Sequence, residues 1–548
     1  MKAVSKKWWI VFVLLAMGIG VNQVDSQQFQ APNTQWQKSY GGTSRENASS
    51  MMLISDNNYL IAGYSRSLDG DITNHHGSSD YPDFWIIKTD PLGTLMWQKS
   101  FGGSSYDEAN AVCEAIGGDY IIAGYSRSND GDITGHHGNS DFADFLILRT
   151  DAVGNLLWQR SLGGSDEDVA NAISATHDGG CIVAGASNSN DGDVSGHHGA
   201  AVFTDYWVVK MDASGNIQWQ RSLGGSGDDD ATSVIQSSDG GFVVAGVSNS
   251  NDGDVSGNHG GDDCWIVKLD SNGKIMWQKS LGGSENDGAS SIIQSNDGGY
   301  AIAAYSFSDD GDVTGHHLSS KFADYWIVKL STSGEIQWQY SYGGSKNDFA
   351  RSIIQTRDGG FAVTGTTESN DGDVEGRHGF SMVDYWTIKL DSGGKLQWQK
   401  SAGRGNVNKA SAIVQLHDGS YAIAGSANPF GVVSPDQRDN YDYWVVKLET
   451  APLTVEESAP PVNISGNVYP NPFNTTAIMT IPQSVNEDNA AGAVIIIYNA
   501  LGNEVRKISG VTGSTVVIAK EELPPGVYYY KIFRGRDVAI TGKMVIAQ

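Results

Sequence analysis

Short runs of β-branched and aromatic residues alternate with clusters of Gly, Asn, Asp and Ser along most of the chain. One stretch has such runs at residues 290–294, 300–304, 324–330 and 336–341, with an Asn-Asp-Gly-Gly segment at 296–299. Runs of this length and composition predict strands, and Asp-Gly-Gly predicts a tight hairpin turn. No window keeps a 3.6-residue spacing. The pattern therefore predicts an all-β fold built from units of four antiparallel strands.

The four-strand unit recurs seven times and is marked by a Trp-Gln pair. These pairs begin at Trp36, Trp97, Trp158, Trp219, Trp277, Trp338 and Trp398. Four strands repeated around an axis are typical of a β-propeller blade. The first Trp-Gln run, at 34–39, has no third strand before it, and the last unit has no Trp-Gln strand after it. We therefore expect the N-terminal strand to complete the last sheet.

The predicted architecture is a seven-bladed β-propeller over residues 34–448, closed by its N-terminal strand, with units starting near 34, 95, 156, 217, 275, 336 and 396. A straight solenoid of the same repeats is the alternative, and it would need capping units at its ends. Further tryptophans recur in the third strand, where the second unit has Leu146. Their recurrence favours packing between sheets over a sugar-stacking platform. These residues are Trp85, Trp207, Trp265, Trp326, Trp386 and Trp444.

Charge and cysteine content exclude several classes of protein. The 548-residue chain has 63 acidic and 36 basic residues, a formal net charge of −27. This balance speaks against nucleic-acid binding, because phosphates require Lys and Arg. The three cysteines, Cys113, Cys181 and Cys264, are scattered over different units, which predicts neither a disulfide framework nor a zinc site.

The N-terminal segment has the features of a secretory leader. Lys2, Lys6 and Lys7 precede an apolar run at residues 8–21, and we expect a signal peptide at 1–26. No other segment is long and apolar enough to cross a bilayer, so we expect no transmembrane segment in the mature chain.

Composition changes again after residue 448. Residues 449–466 carry Pro452, Pro460 and Pro461 among acidic and small residues, which predicts a linker. Residues 467–548 then contain strand candidates at 477–481, 494–498, 516–519, 528–533 and 543–546. Several short strands in so few residues predict a small β-sandwich.

This last segment opens with Tyr469, Pro470, Asn471, Pro472 and Phe473 and continues with motifs that contain Gly502, Gly526, Tyr528 and Lys543. Together these motifs resemble the C-terminal sorting domain of the bacterial type IX secretion system, and we name these nine residues the sorting-motif residues. The resemblance implies recognition by the outer-membrane secretion machinery of a Gram-negative bacterium, a location at the cell surface or outside the cell, and a domain often removed on arrival. The seven units also resemble propeller repeats common in cargo of that system, which implies shape only.

The long loop between the second and third strands carries an Asp-Gly-Asp sequence in six units. Paired carboxylates around Gly can hold Ca²⁺. Turns in which each Asp caps backbone N–H groups are the alternative, and transition-metal binding by histidines such as the pair at His136 and His137 is a third. The candidate metal ligands are Asp69, Asp71, Asp130, Asp132, Asp191, Asp193, Asp252, Asp254, Asp310, Asp312, Asp371 and Asp373.

A second repeated acid is expected in the loop between the fourth strand of one unit and the first strand of the next, two residues before an alanine. A backbone-capping role is favoured over catalysis, because catalytic groups on a symmetric scaffold should differ between units. These residues are Glu46, Asp107, Asp168, Asp229, Asp287 and Asp348, with Asn408 in the seventh unit.

The sequence contains no Ser/His/Asp set, no cysteine poised beside a histidine and no phosphate-binding loop. Only the seventh unit differs in kind, with residues such as Arg404, Lys409 and Asp442. No cofactor is implied apart from the Ca²⁺ alternative. The first hypothesis is a secreted or surface-displayed, non-catalytic propeller that binds a glycan, a matrix polymer or a surface protein. An extracellular polymer-degrading hydrolase or lyase is the second, and a structural role in a surface layer the third.

Overall fold

The computed structural model divides into two compact units, Met1–Pro452 and Leu453–Gln548. It describes residues 30–317, 321–378, 382–428, 440–450, 468–481, 493–499, 504–521, 523–534 and 537–547. The expected signal peptide, most of the expected linker, and Gly502 lie outside these residues. All described secondary structure is β-strand. No helix with the length and apolar character of a membrane span occurs in this part of the chain.

The first unit consists of repeated four-stranded antiparallel sheets, consistent with the blades of a propeller. Its strands are β1 (Thr34–Tyr40), β2 (Glu46–Leu53), β3 (Tyr59–Ser65), β4 (Asp83–Thr89), β5 (Leu95–Phe101), β6 (Asp107–Glu114), β7 (Tyr120–Ser126), β8 (Asp144–Thr150), β9 (Leu156–Leu162), β10 (Asp168–Ala175), β11 (Cys181–Ser187), β12 (Asp205–Met211), β13 (Ile217–Leu223), β14 (Asp229–Gln236), β15 (Phe242–Ser248), β16 (Asp263–Leu269), β17 (Ile275–Leu281), β18 (Asp287–Gln294), β19 (Tyr300–Ser306), β20 (Asp324–Leu330), β21 (Ile336–Tyr342), β22 (Asp348–Gln355), β23 (Phe361–Thr367), β24 (Asp384–Leu390), β25 (Leu396–Ala402), β26 (Asn408–Gln415), β27 (Tyr421–Ala427) and β28 (Asp442–Leu448). Among the described residues, sheets 1 to 6 contain β2–β5, β6–β9, β10–β13, β14–β17, β18–β21 and β22–β25, and sheet 7 contains β26–β28 with β1.

Sheet 7 joins the two ends of the unit. Strand β1 pairs antiparallel with β28, with Tyr40 opposite Tyr443 and Thr34 opposite Leu448. Sheets 1 and 7 also share one buried cluster, in which Tyr59 and Trp85 pack with Tyr443. The first and last sheets of the unit are therefore neighbours in space.

The first strand of each sheet begins at the repeated acid or its asparagine equivalent and contains a β-bulge. In β18 the register shifts between Ala289 and Ser291, which leaves Ser290 as the bulged residue. The strand starts at Asp287, which pairs with Ser306 three residues before the predicted start, so the repeated acid lies in the strand and not in the preceding loop. A bulge redirects a side chain out of the regular alternation.

Aromatic pairs join neighbouring sheets. The rings of Tyr206 and Trp265 have centroids 4.7 Å apart, and the Tyr206 hydroxyl donates to the Trp265 carbonyl at 3.0 Å. Tyr443 and Trp85 make the equivalent contact between sheets 7 and 1, at 2.8 Å. Each such ring pair contributes about 0.5–1.5 kcal/mol beyond its area burial. The third-strand tryptophans are at most 1% exposed, so they pack between sheets and offer no sugar-stacking surface.

The hairpins between first and second strands follow the predicted turn chemistry. In sheet 5, Gly298 has φ +84° and the Asp297 carboxylate accepts the backbone N–H of Gly299 at 3.0 Å. Lys329 of the third strand also pairs with Asp297, with Nζ 2.8 Å from Oδ2. Positive φ favours glycine here because it lacks a Cβ. All three cysteines are free thiols.

The second unit contains two sheets, ordered β29-β30-β33 and β32-β31-β34-β35. Buried side chains of both, including Met479, Ile495 and Ile532, form one cluster, as in a small sandwich. Strand β32 was missed by the sequence prediction because its alternation is masked by charged residues such as Arg506 and Lys507. The strands are β29 (Val468–Tyr469), β30 (Thr476–Thr480), β31 (Ala493–Tyr498), β32 (Glu504–Val511), β33 (Thr515–Ala519), β34 (Gly526–Arg534) and β35 (Asp537–Ile546).

Candidate functional site

The Asp-Gly-Asp sequences tie each long loop to the link that enters the same sheet. In sheet 2, Asp130 Oδ1 accepts the backbone N–H of Ser104 at 2.7 Å, and the N–H of Asp132 donates to the Gly102 carbonyl at 2.9 Å. Gly131 has φ +64°, and a Cβ there would lie 2.4 Å from the Gly102 oxygen. Only glycine fits this close approach.

The same contacts recur in the other motif-bearing sheets. At each, the first aspartate accepts a backbone N–H at 2.7–2.8 Å; these aspartates are Asp69, Asp191, Asp252, Asp310 and Asp371. At each, the second aspartate donates its own N–H to a glycine carbonyl; these are Asp71, Asp193, Asp254, Asp312 and Asp373. Within the described ranges, no group of three or more His, Cys, Asp or Glu side chains could hold a metal ion. These contacts agree with the capping alternative, and the Ca²⁺ site stays a prediction.

One histidine of each complete His pair bridges two sheets. His137 Nδ1 lies 3.0 Å from Asp144 Oδ2 at the start of a third strand, and its Nε2 lies 3.6 Å from Asp193 Oδ2 of the following sheet. The backbone N–H of His137 also donates to Asp144 Oδ2 at 2.6 Å. Equivalent bridges are made by His76, His198 and His317. The two ring nitrogens of one imidazole thus link consecutive loops.

Pairs of buried carboxyl groups face each other at the sheet junctions. Asp168 Oδ2 accepts the N–H of Gly164 at 2.8 Å and the Ser189 hydroxyl at 2.9 Å. Asp144 Oδ1 and Asp168 Oδ2 both lie 2.6 Å from the point where a Cβ of Gly163 would stand. The Oδ1 atoms of Asp144 and Asp168 are buried and have no hydrogen-bond partner within the standard distance among the described residues. Burial raises the pKa of Asp168 to about 7, although the nearby Ser187 hydroxyl lowers it in part.

Similar junctions recur in the first unit, and one of them has an asparagine in place of the repeated acid. Burial raises the pKa of Asp107 and Asp348 to about 7 and of Asp229 to about 6. At the junction of sheets 6 and 7, Asn408 replaces the repeated acid, and its Nδ2 donates to Asp384 Oδ1 at 3.1 Å. An amide N–H therefore occupies the place where a carboxylic acid O–H would donate at the other junctions.

The bulged residues of the first strands line a shared cavity of about 890 Å³. We name it the central cavity. Seven first strands contribute one bulged residue each: Ser49, Asn110, Asn171, Thr232, Ser290, Arg351 and Ser411. Concave sites with a few convergent polar groups are where small ligands usually bind.

Side chains that differ between the units collect around this cavity. The second residue of each first strand is different in every sheet, whereas the third is always alanine. The second residues are Asn47, Glu108, Val169, Asp230, Gly288, Phe349 and Lys409. The sequence prediction did not single them out, although aligning the seven units position by position would have done so. Asymmetry on a repeated scaffold is the expected mark of a specific site.

Arginine and tyrosine side chains cluster on the sheets 1 and 2 side of this region. The guanidinium of Arg45 lies 5.4 Å from the centre of the Tyr441 ring, and those of Arg66 and Arg127 lie 5.8 and 5.9 Å from that of Tyr106. The Nε atoms of the three arginines are buried and have no hydrogen-bond partner among the described residues. We name Arg45, Arg66, Tyr106 and Arg127 the arginine cluster.

The sorting-motif residues of the second unit support its last strand. Asn471 Nδ2 donates to the Lys543 carbonyl at 3.1 Å, and its Oδ1 accepts the Val545 N–H at 2.7 Å. Phe473 is buried in the core and Tyr528 is 5% exposed, with its hydroxyl donating to the Pro524 carbonyl. Tyr469, Pro470 and Pro472 flank the bridging asparagine, and Gly526 begins β34.

Comparison with known proteins identifies this second unit. Residues 467–547 match the secretion system C-terminal sorting domain. The chain therefore carries a sorting domain of the type IX secretion system, and the protein is secreted to the cell surface or the extracellular space. The secretion machinery that recognises this domain is its partner in export.

Over the repeats, similarity to known proteins is limited. The chain is 33% identical over 218 residues to the regulatory protein FlaEY of Caulobacter vibrioides, covering 37% of this chain and 22% of that protein. Among solved structures, puromycin hydrolase has a TM-score of 0.40 and 11% identity, covering 81% of this chain and 61% of its own. Sqt1 from Chaetomium thermophilum has a TM-score of 0.37 and 13% identity, covering 74% and 87% respectively. Likeness at this level fixes no activity.

Proposed function

We propose that the protein is an exported, non-catalytic binding module built on a closed seven-bladed propeller. The proposed organisation is a signal peptide at 1–26, the propeller at 34–448, a linker at 449–466 and the sorting domain at 467–548. Ring closure is supported by the pairing of β1 with β28 and by the central cavity, which first strands of seven sheets line together. Closure also protects sheet edges that would otherwise invite aggregation.

The binding function is supported by a difference between the residues that repeat in every sheet and those that vary from sheet to sheet. The repeated Asp, Gly, Ser and His residues are engaged in contacts within and between sheets, such as the Asp130–Ser104 contact. The side chains that differ between sheets point to the central cavity or cluster at the arginine cluster. Binding by a rigid scaffold usually relies on such variable positions. We therefore place recognition at the cavity and at the loop face around it.

Screening the full-length mature protein on an array of surface glycans, matrix polymers and peptides tests this function. The variant Arg66→Gln/Arg127→Gln removes two charges from the arginine cluster. The matched control, Arg160→Gln/Arg221→Gln, removes two arginines that stack on Trp158 and Trp219 of outer strands. We expect the first variant to bind at least tenfold more weakly than the unaltered protein, and the control to bind as tightly as the unaltered protein. Equal loss in both variants, or no binding to any array member, would contradict the proposal.

The polymer-degrading alternative makes a different prediction. Burial raises the pKa of Glu108, although Tyr125 and the nearby Arg66 lower it in part, and we take this carboxyl group as the general acid to test for that alternative. Turnover of a chromogenic polysaccharide substrate that is lost in Glu108→Gln would favour the enzyme. Intact binding without turnover favours the binding module.

A further inference from the structure

Charge divides the lining of the central cavity and its rim into two sides. Basic side chains lie on sheets 6 and 7 and on the link into sheet 1: Arg351, Lys409 and Arg45. Carboxylates lie on sheet 4, at its first strand and in its long loop: Asp228, Asp230 and Asp262. Arg351, Lys409 and Asp230 line the cavity itself. The two groups thus belong to different parts of one site.

Two carboxyl groups lie near the basic side without forming an ion pair with it: Glu108 near Arg45, and Glu368 at the end of a sheet 6 strand. Burial lowers the pKa of Lys409, and the charges of Arg45 and Arg351 lower it further. None of these three side chains forms an ion pair in the described part of the chain. Glu368 also lines the cavity and likewise makes no such pair. Like charges held together without a partner favour an anionic group from outside.

The acidic side has the opposite character. Burial raises the pKa of Asp230, and repulsion from Asp228 and Asp262 adds to this effect. The Thr204 hydroxyl donates to Asp230 Oδ1 at 2.6 Å, which holds the carboxylate in place. No lysine or arginine pairs with these carboxylates among the described residues. This side therefore favours a cationic group.

Sheets 4 and 7 are as far apart as a ring of seven sheets permits. With the ring closed, two or three sheets separate them in either direction, so Asp230 and Lys409 face each other across the central cavity. A ligand that satisfies both sides must carry both charges. A simple anion is also opposed by the net charge of −27.

We propose that the central cavity binds a short zwitterionic peptide, with its terminal carboxylate at Lys409 and Arg351 and its terminal ammonium group at Asp230. This inference rests on the proposed function and gives the ligand a chemical class. Ammonium–carboxylate and guanidinium–carboxylate contacts are strong, charge-assisted hydrogen bonds. A cavity of about 890 Å³ exceeds the needs of one free amino acid, which favours a peptide of a few residues.

Titration calorimetry of the full-length mature protein with four probes tests the proposal. Triglycine carries both charges, N-acetyl-triglycine only the carboxylate, triglycine amide only the ammonium group, and glycine both charges at single-residue length. We expect triglycine to bind at least tenfold more tightly than each of the other three. Lys409→Gln should weaken triglycine at least fivefold but leave triglycine amide unchanged. Asp230→Asn should weaken triglycine equally but leave N-acetyl-triglycine unchanged.

Matched controls are Lys274→Gln and Glu335→Gln, two exposed residues in the turns between third and fourth strands, which should bind as the unaltered protein does. Thermal unfolding of every variant establishes that it is folded. Equal binding of triglycine and N-acetyl-triglycine would show a plain anion site, and tight binding of glycine a free amino-acid site; either overturns the proposal, as does the absence of binding. Array binding that persists in Lys409→Gln and Asp230→Asn would leave the proposed function standing while this inference falls.

Discussion

Asparagine in place of Asp168 tests whether the buried acid pairs hold a proton. Asn408 provides the precedent, because its amide donates to Asp384 Oδ1 at 3.1 Å where the other junctions have two acids. In Asp168→Asn, the new amide N–H can donate to Asp144 Oδ1 at every pH. The variant thus replaces a group that gains and loses a proton by one that always donates.

The magnitude follows from the pKa of Asp168, which burial raises from 3.8 to about 7. A raised pKa means that the folded state keeps the proton while the unfolded chain releases it near pH 4. The stabilisation is therefore complete below pH 4 and is lost as the pH rises towards 7. The loss is about 1.4 kcal/mol per pH unit, or about 3 kcal/mol between pH 5 and 8.

Urea unfolding followed by tryptophan fluorescence at pH 5 and pH 8 measures this effect. We expect Asp168→Asn to gain about 3 kcal/mol relative to the unaltered protein on going from pH 5 to pH 8. The control is Asp151→Asn, which removes an exposed turn-capping carboxylate that accepts the Asn155 N–H at 2.8 Å. Its effect should not change over this range. If the difference in unfolding free energy between Asp168→Asn and the unaltered protein does not change with pH, or if the variant is relatively less stable at pH 8, the buried acid pair does not hold a proton.

Three further predictions follow from the loops and the sorting domain. Adding Ca²⁺ or EDTA should shift the midpoint of thermal unfolding by less than about 1 °C, because the Asp-Gly-Asp side chains already have partners within the protein. A clear rise of the midpoint with Ca²⁺ would favour the Ca²⁺ site instead. His137→Ala should destabilise the protein by about 1–2 kcal/mol in urea, since it breaks the bridge between sheets 2 and 3, whereas the exposed His177→Ala should not; equal effects would argue against the bridge. Removal of residues 467–547 should abolish surface and extracellular protein in immunoblots of cell fractions, and normal secretion of the truncated chain would contradict the role of the sorting domain in export. Phe473→Ala should destabilise the sorting domain by about 3–5 kcal/mol and lower export.

The repeated strands could be predicted because β-branched and aromatic residues concentrate in short runs that Gly-containing turns separate. The pairing of 34–39 with the last third strand followed from counting strands, and the motifs around Phe473 and Tyr528 indicated the sorting domain. These signals are local, and each is repeated or has a fixed order along the chain.

The bulges, the acid pairs and the cavity lining could not be predicted in the same way. Asp144 and Asp168 belong to different sheets, and His137 and Asp193 are 56 residues apart, so only tertiary structure brings them together. A bulge changes which side chain faces inward, and this removed Arg351 from the simple two-residue alternation. The variable second residues form no motif, because they are recognised only by comparing the same position in different sheets.

Sheet 7 contains strands from both ends of the first unit, with Tyr40 paired to Tyr443. During synthesis β1 emerges first, and its partner appears some four hundred residues later. The entropy of closing so long a loop must be overcome before that last pairing forms, so the final sheet should be the slowest step of folding. The last sheet can therefore form only when both ends of the unit are free to meet.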